Sequence, residues 1–262
     1  MSGYNYGSTS STGSSTTTGF QTAYEANYTS AVSQSFISGD GNKTIDGKTW
    51  EAVNTAQATT WGLDGSTGLE WTLPSNSTSF DYGTRTSPIL RTLITNLFSS
   101  FDISKHYLKL TVQFDFTSTT NWDTVMAVFE RNAGTGGEMI IGMIRGKTTG
   151  PTDRWGMYGG SSGTYFTEDT NSISGDVLQI ELFDKGAYFR TGVYSGGFPD
   201  DKDMIQRGIS FYDNQNELSE TAGSKARPFE QDNMTIALSI FNGNNSAIAG
   251  KILRLKLEYR EK

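Results

Sequence analysis

Two carboxylates set across a cleft, roughly 5–9 Å apart, cleave glycosidic bonds, one as acid and the other as base or nucleophile. On a single strand that presents both on one face, the pair must be spaced by two or four residues. Glu181 and Asp184 differ by three and would face opposite ways, while Glu130 and Glu138 sit at strand ends. No acidic pair has the spacing, so no catalytic residue is expected. Metal chemistry fares little better. Asp200-Asp201-Lys202-Asp203 and the oxygen-rich run Asp213–Glu217 have the hard ligands calcium takes, six to eight at a time. Neither follows the twelve-residue calcium-loop spacing, and Lys202 sits inside the first, so both read as solvated acidic turns with calcium left open. His106 is the single histidine, with no serine in a nucleophile-elbow context, and reads as a surface or edge residue. With no cysteine, thiolate zinc and disulfides are excluded, and no metal or cofactor is expected. The runs Gly159–Gly163 and Gly196-Gly197 precede no helix, which leaves a phosphate cradle unsupported.

Aromatic side chains offer a different chemistry, the stacking of sugar rings. Five tryptophans are present, at 50, 61, 71, 122 and 155. Trp122, between Asn121 and Asp123, and Trp155, beside Asp153 and Arg154, stand near strand ends with polar neighbours and are the candidate glycan-binding residues. Core packing or a subunit interface would claim the same residue types.

Any such site needs strands to hold it. In Tyr107–Thr117, Leu108, Leu110, Val112, Phe114 and Phe116 alternate with Lys109, Thr111, Gln113 and Asp115, which predicts one buried and one wet face. Further strands are expected at Thr49–Val53, Leu69–Leu73, Asp123–Arg131, Glu138–Arg145, Arg154–Tyr158, Asp176–Phe183, Ala187–Tyr194 and Gly208–Tyr212. Met234–Phe241 and Lys251–Arg260 close the chain as a pair, the latter with Leu253, Leu255, Leu257 and Tyr259 facing in. Asp184-Lys185-Gly186 marks a tight hairpin. One helix is predicted over Thr86–Ser100, with Ser87 as its cap, Pro88 in its first turn and an apolar face from Ile89 to Phe98. Ten to twelve strands, one helix and no βαβ rhythm make an all-β fold. The expected form is an antiparallel β-sandwich of jelly-roll type, with its first and last strands side by side.

Residues 1–38 are expected to form an N-terminal arm, and residues 39–262 a single sandwich domain. Met1–Gly19 is almost wholly Ser, Thr and Gly, has neither the basic and apolar regions of a secretion signal nor an anchor, and buries too little to order itself. A partner chain is therefore expected to hold it, through Tyr4, Tyr6, Phe20, Tyr24 and Tyr28. From Phe20 onward an apolar residue recurs every fourth position, which fits either a weak helix or an extended segment. The net charge of −7, with no basic block, excludes nucleic acid as the natural partner. No run reaches the apolar length of a membrane span.

An arm of this composition joined to an acidic, cysteine-free sandwich resembles the accessory virion proteins of tailed bacteriophages: capsid decoration proteins, head fibres and tail-fibre modules. The sandwich itself resembles concanavalin-like and laminin-G-like jelly rolls. The resemblance implies a non-enzymatic structural protein located in the virion, docked through its arm to other virion proteins and self-associated as a trimer. The alternative it implies is a carbohydrate-binding, receptor-binding module of a tail fibre or adhesin, and a glycoside-active enzyme stands third.

Overall fold

The computed structural model describes residues 19–30, 39–57, 60–64, 68–73, 88–117, 123–131, 138–147, 153–159, 164–169, 175–183, 186–210, 234–242 and 248–262. Strands β1 (Gln21–Asn27), β2 (Gly41–Ile45), β3 (Lys48–Val53), β4 (Thr60–Asp64), β5 (Gly68–Leu73) and β6 (Ile89–Leu93) lead into the single-turn helix α1 (Ile94–Leu97). Then follow β7 (His106–Thr117), β8 (Asp123–Arg131), β9 (Glu138–Lys147), β10 (Asp153–Gly159), β11 (Thr164–Asp169), β12 (Val177–Phe183) and β13 (Gly186–Gly192). A 3₁₀ turn at Asp201–Asp203 precedes β14 (Ile205–Ser210), and β15 (Met234–Asn242) and β16 (Ile248–Glu261) end the chain.

These strands form two antiparallel sheets, a β-sandwich of jelly-roll type. The first runs β14-β13-β12-β7-β16-β5-β4, and the second β11-β10-β9-β8-β15-β6-β3-β2. In the first sheet β16 pairs with β7 along one edge. Its other edge is divided, Ile248–Ile252 against β5 and Arg254–Tyr259 against β1. The alternation in β7 and β12 sends Leu108, Leu110, Val112, Phe114, Leu178, Ile180 and Leu182 inward, where they meet Trp50, Leu90, Phe129, Ile236 and Leu238 of the second sheet. Each such side chain contributes on the order of 1.5–3 kcal/mol by leaving water.

Several expectations change here. The predicted helix over Thr86–Ser100 contracts to Ile94–Leu97, and Ile89–Leu93 becomes a strand. That strand lies between β15 and β3 and is buried on both faces. A strand buried on both faces reads as a continuous apolar run, which helical spacing matches equally well. The final pair separates, with β15 in the second sheet and β16 in the first. A bulge between Ile252 and Arg254 shifts the inward set, so Ile252 is fully buried where Leu253 was expected.

The arm boundary at residue 38 also moves. Gln21–Asn27 is a strand of the sandwich, and Tyr24 and Tyr28 belong to its core at 6% and 1% exposure. Burial pushes the Tyr28 phenol well above its ordinary value, with neighbouring Tyr24 adding to the push. The first and last strands of the chain do lie side by side, as β1 and β16, while Thr49–Val53 lies in the other sheet. The free edge of β16 is the reason, because unpaired ladder groups there take up the incoming chain. No helix among the described residues is long and apolar enough to cross a membrane.

Candidate binding site

The outer face of the first sheet was expected to be wet. Instead Lys109, Thr111, Gln113, Gln179, Glu181, Arg190 and Glu258 are buried on it. Their alignment follows from register. Glu181 of β12 stands opposite Lys109 of β7, which stands opposite Glu258 of β16. The two glutamates are thus two strands apart, roughly 10 Å at ordinary strand spacing. Beyond β13 the chain from Val193 to Met204 crosses this face as a strap. Just before it, where β13 ends, the backbone runs close to the residues leading into β12: a Cβ on Gly175 would lie 2.6 Å from the carbonyl oxygen of Gly192.

The strap fastens to the face by its acids. Asp201 lies 3.4 Å from Lys109 Nζ, accepts from Gln179 Nε2 at 3.1 Å and is 3.9 Å from Arg190 Nη1. Arg190 Nη1 donates to Glu181 Oε2 and to Gln179 Oε1, both at 2.7 Å, and Lys109 Nζ sits 3.2 Å from Glu258 Oε2. Further along, Asp176 accepts from Gln113 Nε2 at 2.6 Å and from the Tyr194 amide at 2.9 Å, and Arg254 stacks on the Tyr194 ring. Phe20 covers the other side of the row, its ring centroid 4.5 Å from Lys109 Nζ and 4.9 Å from the Arg260 guanidinium. Each carboxylate of the row already faces a cation. Breaking any one of these buried pairs from one side would leave an uncompensated charge on this face.

The second sheet offers an open site. Where β2, β3 and β6 run toward α1, a cavity of about 150 Å³ opens, lined by Asn42, Thr49, Glu51, Arg91, Leu93 and Asn96. Glu51 and Arg91 face each other in register, and Arg91 Nε donates to Glu51 Oε2 at 2.7 Å. The arginine is 11% exposed and the glutamate 46%. Thr92 Oγ1 donates to the Thr49 carbonyl at 2.6 Å, and Asn96 Nδ2 donates to both Thr49 O and Thr92 Oγ1 at 3.2 Å. A guanidinium, a carboxylate, amides and hydroxyls therefore surround one opening, with Leu93 as an apolar wall.

The residues singled out by sequence meet different fates. Phe20, Tyr24 and Tyr28, expected to dock a partner, instead serve this chain's own sheet and core. Tyr4, Tyr6, Trp122 and the Asp213–Glu217 run lie outside the described residues. Trp155 lies in β10 in register with Arg145 and Glu168, with its side chain outside the described set. Asp201–Asp203 forms the strap's 3₁₀ turn, with Asp200 just before it pairing with Lys202 and Asp201 reaching into the buried row. Among the described residues no three acidic or imidazole side chains are grouped to share a metal ion. His106 is buried, not exposed: its Nδ1 accepts from the Asp102 amide at 3.0 Å, Nε2 lies 3.3 Å from Glu261, and Phe98 and Tyr259 pack on the ring. Sequence reasoning missed Arg91 altogether, since it sits in the segment read as a helix. A lone arginine inside an apolar run was the available signal.

No family model and no curated protein matches the sequence. Solved structures of similar shape include the CBM2 module of the evolved Dit of Lactobacillus casei BL23 phage J-1, 7% identical over 91% of this chain and 95% of that one, with a TM-score of 0.49. Peanut lectin is 10% identical over 91% of this chain and 98% of its own, with a TM-score of 0.47. A non-specific endo-β-1,3(4)-glucanase from family GH16 is 11% identical over 93% and 92%, also at 0.47. At such identities and scores the likeness concerns architecture, and no residue role transfers.

Proposed function

We propose that this chain is a non-enzymatic accessory protein of a viral particle whose β-sandwich recognises a saccharide. The observation that carries the recognition half is the open cavity of about 150 Å³ at Arg91, Glu51 and Asn96. Sugar hydroxyls both donate and accept, so they need walls that do the same, and these side chains include both kinds. The non-catalytic half is supported by the closed row on the other sheet, where Glu181 and Glu258 are each matched by Arg190 or Lys109. The particle half is supported by the Ser-, Thr- and Gly-rich first residues, which serve as an attachment arm with Tyr4 and Tyr6 as its anchors.

The test is an array of immobilised glycans probed with the labelled full chain and with Asn96→Ala, an exposed change beside the cavity. Binding to a defined glycan set, weakened by Asn96→Ala and without release of reducing sugar, is the expected outcome. An array with no bound glycan overturns the recognition half. Release of reducing sugar, lost in Glu181→Gln, overturns the non-catalytic half.

A further inference from the structure

An arginine carries five N–H donors in a planar fork. Arg91 uses the one on Nε, which donates to Glu51 Oε2 at 2.7 Å. Among the described residues, no group bonds to the donors on Nη1 and Nη2, although the side chain is only 11% exposed. Neither terminal nitrogen is among the fully buried atoms that lack a partner, so both reach solvent, and an incoming acceptor can replace water at this edge of the fork. That edge matches two oxygens held on one carbon, and a carboxylate gives it two parallel charge-assisted bonds. Glu51 occupies the Nε side, and Arg91 and Glu51 both line the cavity.

The neighbouring amide is fixed by its bonds. Thr92 Oγ1 donates its proton to Thr49 O, so it can only accept from Asn96 Nδ2, as Thr49 O also must. Both partners being acceptors sets the amide's orientation and leaves Oδ1 to accept a hydroxyl. The second carboxylate oxygen of Glu51, at a half-exposed side chain, accepts another. A cavity of about 150 Å³ that opens to solvent takes one edge of a sugar ring and leaves the rest of the ring in water.

We infer that this cavity reads an acidic monosaccharide, a terminal uronic acid, by holding the sugar carboxylate on Arg91 Nη1 and Nη2 while Asn96 and Glu51 take its hydroxyls. The inference rests on the saccharide-recognition reading and names its sugar class.

Calorimetric titration of the full chain with sodium D-glucuronate and with D-glucose tests it, with Arg91→Lys and Asn96→Ala alongside. Lysine keeps the charge beside Glu51 and loses the planar fork. The expected result is that glucuronate binds about tenfold or more tightly than glucose, that Arg91→Lys abolishes this preference, and that added salt weakens it. Thermal melting shows which variants remain folded. If Arg91→Lys does not fold, the glucuronate-to-glucose ratio in the unaltered chain, and its fall on addition of sodium acetate, decides. Equal binding of the two sugars overturns the inference and leaves saccharide recognition intact. A preference retained in folded Arg91→Lys also overturns it. No binding to any array glycan removes the underlying reading as well.

Discussion

Arg190 stands between Glu181 and Asp201 with 7% of its side chain exposed, and it also donates to Gln179. Its removal would leave a buried carboxylate and a buried amide oxygen without their donor. Arg190→Ala is expected to cost about 3–5 kcal/mol, the usual loss on breaking a buried pair from one side. A lower urea midpoint at an unchanged slope is the corresponding measurement. Lys202, by contrast, pairs with Asp200 where both side chains are about three-quarters exposed (75% and 74%). Lys202→Ala should move stability by no more than about 0.5 kcal/mol. Equal effects of the two changes would mean that the row is hydrated and that the strap does not seal it. None of this grouping was legible in the sequence. Lys109 was read on the wet face of its strand and Glu181 only as an acid without a partner of the right spacing, and it is the pairing of β12, β7 and β16 that places them in one line with Glu258. A search along single strands cannot find a cluster built across them.

The strands themselves were legible where one face is apolar. β7 and β12 show their period of two plainly, and the limits of β8 match the expected Asp123–Arg131. β6 was not, because both its faces are buried, and neither was β1, because Tyr24 and Tyr28 recur at a spacing that suits a helix as well as a core strand. The position of β1 changes what a truncation should do. Deleting residues 1–18 should leave the melting temperature unchanged and abolish incorporation into particles, since β1 begins at Gln21. Deleting residues 1–28 also removes Tyr24, Ala26 and Tyr28 from the core and bares the β16 edge along Arg254–Tyr259. That shorter chain should be insoluble or strongly destabilised, because an exposed edge recruits other strands. A fully stable protein lacking residues 1–28 would show β1 to be an accessory of the fold.

Which sheet each strand joins is a property of the whole molecule, and it is the part that local pattern specifies least. β15 and β16 follow one another in the chain and lie in opposite sheets, although both carry the signature of half-buried or fully buried strands. What fixes their places is a shared core: Leu255 and Leu257 of one sheet and Ile236 and Leu238 of the other belong to a single cluster with Trp50 and Leu110. If that cluster is what joins the sheets, neither can melt alone. Trp50→Ala, in the second sheet, and Leu110→Ala, in the first, should each cost several kcal/mol, about 3–5 and 2–5 respectively. Both should shift one common transition, with tryptophan fluorescence and far-ultraviolet circular dichroism tracing the same curve. Chains of this size often unfold through intermediates, so a single coincident transition is a demanding outcome. If Trp50→Ala instead splits the curve, with one spectral signal lost before the other, the two sheets are separately stable and the cluster between them is contact without cooperation.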